Sequence, residues 1–195
     1  MYQSVKDLVR TAEIQQKALS ELVIEAECHE SGSNRKEVWQ RMRSNLLTMR
    51  AAIKQGENEL GVRSKTGLTG GEAIKLKKYR AKGKTLSGDV MMAAVENAIA
   101  TNEVNAAMGV ICATPTAGSS GTLPGALFML EQRLGLSEDQ MIRFLFTAGG
   151  LGLIIANHAG IAGATGGCQE EVGSASAMAA AAAVTGHFAD IRNIK

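Results

Sequence analysis

The sequence predicts an all-α fold, a single helical domain. Three observations carry this. Apolar residues recur at helical spacing through the charged first third of the chain. Serine or asparagine followed three residues later by Asp, Glu or Gln marks helix starts, and glycine marks ends. No stretch alternates apolar and polar residues as a half-buried strand does, and nothing suggests a doubly wound sheet. A length of 195 residues suits one domain with a sizeable core. Aromatic residues are only 4% while glycine numbers 22, so small side chains must make many of the helix contacts.

Ser4, with Asp7 three residues on, caps a first helix. Val5, Leu8, Val9, Ala12, Leu19, Leu22, Val23 and Ala26 continue its apolar stripe up to the Ser31-Gly32-Ser33-Asn34 turn. Asn34 with Glu37 caps the next helix. Val38, Met42, Met49 and Ile53 form its stripe, and Gly56 stops it. The predicted organisation is therefore a helical N-terminal hairpin over residues 1–57 and a site-bearing core over 58–195. Cys28 and His29 lie in the hairpin with no third ligand near in sequence.

The Gly61–Gly71 segment combines hydroxyls, glycines, Arg63 and Lys65 ahead of a helix at Glu72. Backbone N–H groups there would favour an anion, although the order is not that of a Walker A loop. Lys75, Lys77, Lys78, Arg80 and Lys82 read as a solvated helix face. A further helix is expected from about Gly88 to Ile99, and the apolar Val104–Ala113 run reads as another, buried one. Thr114-Pro115-Thr116-Ala117-Gly118-Ser119-Ser120-Gly121-Thr122 then places hydroxyls between apolar segments. Such groups need partners when buried, and a polar ligand or neighbouring backbone can supply them. Pro124 suits the first turn of the next helix, which Gly135 ends; Ser137 with Gln140 caps the one after.

Charge is uneven. Residues 1–103 carry 17 Lys and Arg against 13 Asp and Glu; residues 104–195 carry 4 against 6. The first part reads as solvated and the second as core. The basic excess is too small and too mixed with acids for nucleic-acid binding. The apolar Val104–Leu130 and Phe144–Gln169 runs are long enough to raise a membrane question. Both are broken by Gly, Ser, Thr or Asn, so they read as the interior of a soluble protein. The N-terminus reads as a polar amphipathic helix rather than a leader, and Cys28, Cys112 and Cys168 form no CxxC pair. Cytoplasmic, reduced thiols are expected.

No Asp, Glu, Lys or Arg occurs from Phe144 to Gln169, so this segment is expected to be buried. At its end stands Gly166-Gly167-Cys168-Gln169-Glu170-Glu171-Val172-Gly173. The glycines let backbone approach a bulky group, so Cys168 reads as a placed ligand or nucleophile. The plainer reading is an inert thiol in a tight turn.

Three segments in order, Ser64–Gly71, Ala113–Gly121 and Gly166–Ser174, resemble the alpha chain of bacterial iron–sulfur L-serine dehydratases, over about residues 60–184. The resemblance implies an all-helical subunit holding a four-iron (4Fe-4S) cluster, without pyridoxal phosphate. It implies β-elimination of L-serine to pyruvate and ammonia, with a separate beta chain or a homo-oligomer completing the enzyme. Cys168 matches a cluster cysteine. Thr116, Ser119 and Ser120 match a loop expected to meet the carboxylate and amino group of serine, and Lys65 and Thr69 lie in a second loop near the site. No residue is matched to the α-proton base, and Cys112 matches no ligand position.

The sequence departs from the family pattern at Asn157–Thr165, where a Ser-Gly-Ala-Glu-like segment is usual. The family's later Cys-Asp-Pro and Val-Pro-Cys segments are not in the 195 residues. The chain is thus expected to be a shortened form, a piece completed by another polypeptide, or a catalytically incomplete relative with a binding or structural role. An open apolar face on Ala177–Val184, and self-association through it, is expected with it. A third reading makes Cys168 a hydrolase nucleophile served by His158 or His187.

Overall fold

The computed structural model describes residues 2–187, the last two by backbone alone; a pairing of the His187 side chain with Cys168 lies outside what is described. The helices are α1 (Val5–Gln15), α2 (Leu19–Ser31), α3 (Arg35–Gly56), α4 (Glu72–Arg80), α5 (Gly88–Ala106), α6 (Thr122–Leu134), α7 (Glu138–His158) and α8 (Gly163–His187). No strand forms among the described residues; Arg63 and Gly70 make one isolated bridge.

The expected caps are present. Ser4 accepts from the Asp7 N–H. Asn34–Glu37 and Ser137–Gln140 form reciprocal capping boxes on α3 and α7. Gly135 ends α6 in the left-handed conformation.

Three expectations are corrected. The stripe from Val5 to Ala26 is two helices, because Gln16 turns left-handed at φ 52° and the Lys17 N–H closes on the Ala12 carbonyl. No glycine or proline marks that break, so the residue pattern could not carry it. Val104–Ala113 is not a helix. α5 runs to Ala106, the Gly109 N–H closes on the Val104 carbonyl, and Met108 sits at φ 64°. The chain beyond is irregular, with Met108 and Val110 exposed. Phe144–Gln169 is buried only at its start: Phe144–Phe146, Ala148, Leu151 and Ile154 are core, whereas 156–160 and 164–169 are exposed. The exposed part is mainly Gly, Ala, Thr and Asn. Small side chains bring little apolar area, so lack of charge alone does not drive burial.

α7 is the central helix, packed on α2, α3 and α8, while α5 packs on α3, α4 and α6, and α6 reaches α8. By length and composition α7 is apolar enough to cross a membrane. Here its Met141, Ile142, Phe144, Leu145 and Phe146 enter the main core with Ile24, Leu46, Met49, Leu127 and Met178. Leu8, Leu22 and Ile154 form a smaller cluster under α1. α8 buries Ala175, Met178, Ala179 and Ala182 and leaves Ala177, Ala180 and Val184 exposed.

Glycine sets the closest helix crossings. A Cβ at Gly56 would lie 2.3 Å from the Ala100 carbonyl oxygen, and one at Gly121 2.3 Å from that of Ala98. α5 is thereby drawn onto α3 and onto the start of α6, where the hydroxyl-rich loop ends.

Candidate functional site

The Thr114–Gly121 loop leads into α6. Its backbone folds back with the Thr114 N–H on the Thr116 carbonyl at 3.2 Å and the Ser120 N–H on the Ala117 carbonyl at 3.2 Å. The Thr114–Pro115 peptide is cis. Ser119 Oγ donates to the Thr114 carbonyl at 3.1 Å and lies 3.0 Å from Thr116 Oγ1. Asn105 Nδ2 on α5 donates to the Ala117 carbonyl at 3.0 Å. Ser119 and Ser120 are buried and Thr116 half-buried.

Two hydroxyls of this loop, Thr114 Oγ1 and Ser120 Oγ, are buried with no hydrogen-bond partner among the described residues. An orphaned buried hydroxyl costs about 1–3 kcal/mol. Thr114 and Cys112 also line a cavity of about 550 Å³ between α3, α7 and Met178 of α8. An apolar cavity of about 460 Å³ adjoins it, sharing Met42, Asn45, Gly149 and Leu153.

The helical run that Cys168 opens meets this loop at Glu171. Inside α8, Gly167 adopts φ 72°, ψ −171°, a conformation that breaks the helix, so Cys168 opens the long helical run to His187. Its thiol is exposed. A helix start favours a negative ligand atom. Glu171, one turn further on, lies over the hydroxyl loop: a Cβ on Gly118 would sit 2.5 Å from Glu171 Oε2. The structure thus brings together Thr116, Ser119, Ser120 and the helix begun by Cys168. Neither Glu171 nor Thr114 was among the sequence-predicted site residues. A position three residues after Cys168 shares its helix face, which is the signal that points to Glu171.

Lys65 and Thr69 belong to the Gly61–Gly71 segment. Both are exposed, in a tight loop where the Ser64 N–H bonds the Thr69 carbonyl at 2.9 Å and the Thr69 N–H bonds Ser64 Oγ at 3.2 Å. Among the described residues no hydrogen bond or ion pair joins this loop to Thr114–Gly121. The expected anion cradle is filled from within. Glu103 Oε1 on α5 accepts from the N–H groups of Glu72 at 2.5 Å and Ala73 at 3.2 Å, the first turn of α4. Burial pushes the Glu103 carboxyl above the usual carboxylate range, and the neighbouring Glu72 pushes the same way.

Cys112 is half-buried, donates to the Asn45 carbonyl at 3.5 Å, and has its pKa raised by burial. Cys28 packs against the main core. Among the described residues no group of three or more His, Cys, Asp or Glu side chains is placed to hold a metal ion. A four-iron cluster needs more than one thiolate, so the described residues, with one exposed thiol at Cys168, do not make up its ligand set. His158 is bound by its Nδ1 to the Ile154 carbonyl at 2.9 Å, within its own helix.

A family model described as "Serine dehydratase alpha chain" matches residues 14–194. The chain belongs to the serine dehydratase alpha chain family. It is 52% identical over 184 residues to the "Probable L-serine dehydratase, alpha chain" of Bacillus subtilis, covering 94% of this chain and 61% of that protein. It is 37% identical over 164 residues to the "L-serine dehydratase, alpha chain" of Peptoniphilus asaccharolyticus, covering 84% and 56%. The "L-serine dehydratase 1" of Escherichia coli is 35% identical over 148 residues, 74% of this chain and 31% of that protein. The chain thus spans about three fifths of the Bacillus relative. The family membership bears out the resemblance carried by the three motif segments.

Proposed function

We propose that this chain is a substrate-binding part of an L-serine dehydratase, an ammonia-lyase that converts L-serine to pyruvate and ammonia. The observation that carries it is the approach of the Thr114–Gly121 loop, with two orphaned hydroxyls, to the helix that Cys168 begins. In this reading Thr116, Ser119 and Ser120 hold the polar groups of serine. Ser119 is already oriented by the Thr114 carbonyl, which keeps its oxygen beside that of Thr116. Lys65 and Thr69 approach from the second loop.

Cys168 supplies one thiolate to a 4Fe-4S cluster whose remaining ligands come from outside these 195 residues. When bound, such a cluster supplies a Lewis-acidic iron for the departing hydroxyl. The chain's own task is to hold serine so that its α C–H and β C–O bonds are aligned for elimination of water. The aminoacrylate released tautomerises to the imine and hydrolyses to pyruvate and ammonia. A beta chain, or the remainder of a longer polypeptide, completes the enzyme. The unpaired thiols accord with a reducing, cytoplasmic setting.

The test supplies the chain with the polypeptide completing the family length, reconstitutes iron and sulfide without oxygen, and assays pyruvate from L-serine. Turnover that disappears in Cys168→Ala supports the reading; no turnover overturns it. That no group among the described residues is placed to hold a metal ion favours one further reading for the chain by itself, namely binding of serine without turnover.

A further inference from the structure

We propose that Glu171 is the residue that receives the α-ammonium group of the substrate, making it the determinant that selects an amino acid over a hydroxy acid. This rests on the serine-binding reading above. The position of the carboxylate is set by two glycines on different elements. A Cβ at Gly118, in the hydroxyl loop, would lie 2.5 Å from Oε2, and one at Gly163, at the start of α8, 2.7 Å from the same atom. The carboxylate therefore fills the seam between the hydroxyl loop and the helix of Cys168. It is half-buried, and no hydrogen bond or ion pair engages it among the described residues.

A half-buried carboxylate with no side-chain partner is open to a cationic group of a ligand. The sequence offers none locally: from Phe144 to His187 the only charged residues are Glu170 and Glu171, with no Lys or Arg. Glu170 is engaged differently. Its Oε2 accepts from Thr165 Oγ1 at 3.3 Å and its carboxylate curls against Gly160 and Gly166, away from the hydroxyl loop. Of the two, Glu171 adjoins the loop that carries the orphaned Thr114 and Ser120 hydroxyls. In this proposal a small zwitterion bridges the seam, its ammonium on Glu171 and its carboxylate on the hydroxyl loop.

The test compares calorimetric binding of L-serine and of L-glycerate, which carries a hydroxyl in place of the ammonium, to the 195-residue chain. The wild type should prefer L-serine. Glu171→Gln, which keeps the shape, should weaken L-serine by about tenfold to a hundredfold, the range of a hydrogen bond between charged groups, and leave L-glycerate unchanged. Glu170→Gln should bind both ligands as the wild type does. Equal affinity of wild type and Glu171→Gln for L-serine overturns the proposal and leaves the serine-binding reading standing. Equal loss for both ligands also overturns it, since that marks a structural role. Wild-type chain that binds neither ligand overturns the serine-binding reading and this proposal together.

Discussion

Glu103 of α5 caps α4 from outside it: one carboxylate oxygen accepts from the backbone N–H groups of both Glu72 and Ala73. Those N–H groups are ones that the helix itself leaves unpaired. The same α5 carries Asn105, whose amide holds the Ala117 carbonyl of the hydroxyl loop. A single helix thus anchors both loops that the sequence marks out. Glu103→Ala should cost about 1–3 kcal/mol, as loss of a buried capping acceptor does. Denaturant unfolding measures the loss, and hydrogen exchange should show faster opening of residues 61–73 than of α6.

Glu103 also sets a pH dependence. Burial raises its pKa, so folding favours its protonated form. The associated stability is present below the ordinary carboxylate range and is lost as pH rises through the raised value. Glu103→Gln mimics the protonated form and should flatten that slope. Unfolding midpoints recorded from pH 4 to 8 for both proteins check it.

Glu21 gives the opposite slope. Its carboxylate on α2 accepts from Arg35 of α3 and Arg143 of α7, and the Arg35 hydrogen bond leads in lowering its pKa from 4.5 to about 2. Its stabilisation is present above pH 4.5 and is lost as pH falls towards 2. With solvent screening the effect is about 1 kcal/mol. Glu21→Gln should remove this acid-side loss, read by acid titration of the helical signal.

Much of this architecture was legible. The capping boxes at Asn34 and Ser137 fixed two helix starts, because a side chain and its backbone partner lie three residues apart. The hydroxyl loop was legible as hydroxyls between apolar runs. What escaped is non-local or conformational. The left-handed turn at Gln16 leaves no residue signature. Glu103 and Ala73 are thirty residues apart in sequence, so no local pattern links them. The exposure of Cys168 followed from small residues that a count of charges reads as buried.

The two kinds of serine in the hydroxyl loop should part on mutation. Ser119 Oγ holds the Thr114 carbonyl, so Ser119→Ala should destabilise the chain by about 1 kcal/mol. Ser120 Oγ is buried without a partner, so Ser120→Ala should be neutral or slightly stabilising. Both should weaken L-serine binding. Thermal unfolding beside calorimetry separates the two effects.

The thiols should also differ. Cys168 is exposed, whereas Cys112 is half-buried with a raised pKa, and only the thiolate reacts. Alkylation at neutral pH should modify Cys168 well before Cys112, as peptide mass mapping over time would show.

The central claim is that Cys168 contributes a thiolate to a cluster completed from outside this chain. Iron and acid-labile sulfide content measures it most directly, in the chain reconstituted anaerobically with the polypeptide that completes the family length, beside Cys168→Ala. The account predicts about four of each per complex, lost in the variant. Four of each in the variant as well, or none in either, would contradict it.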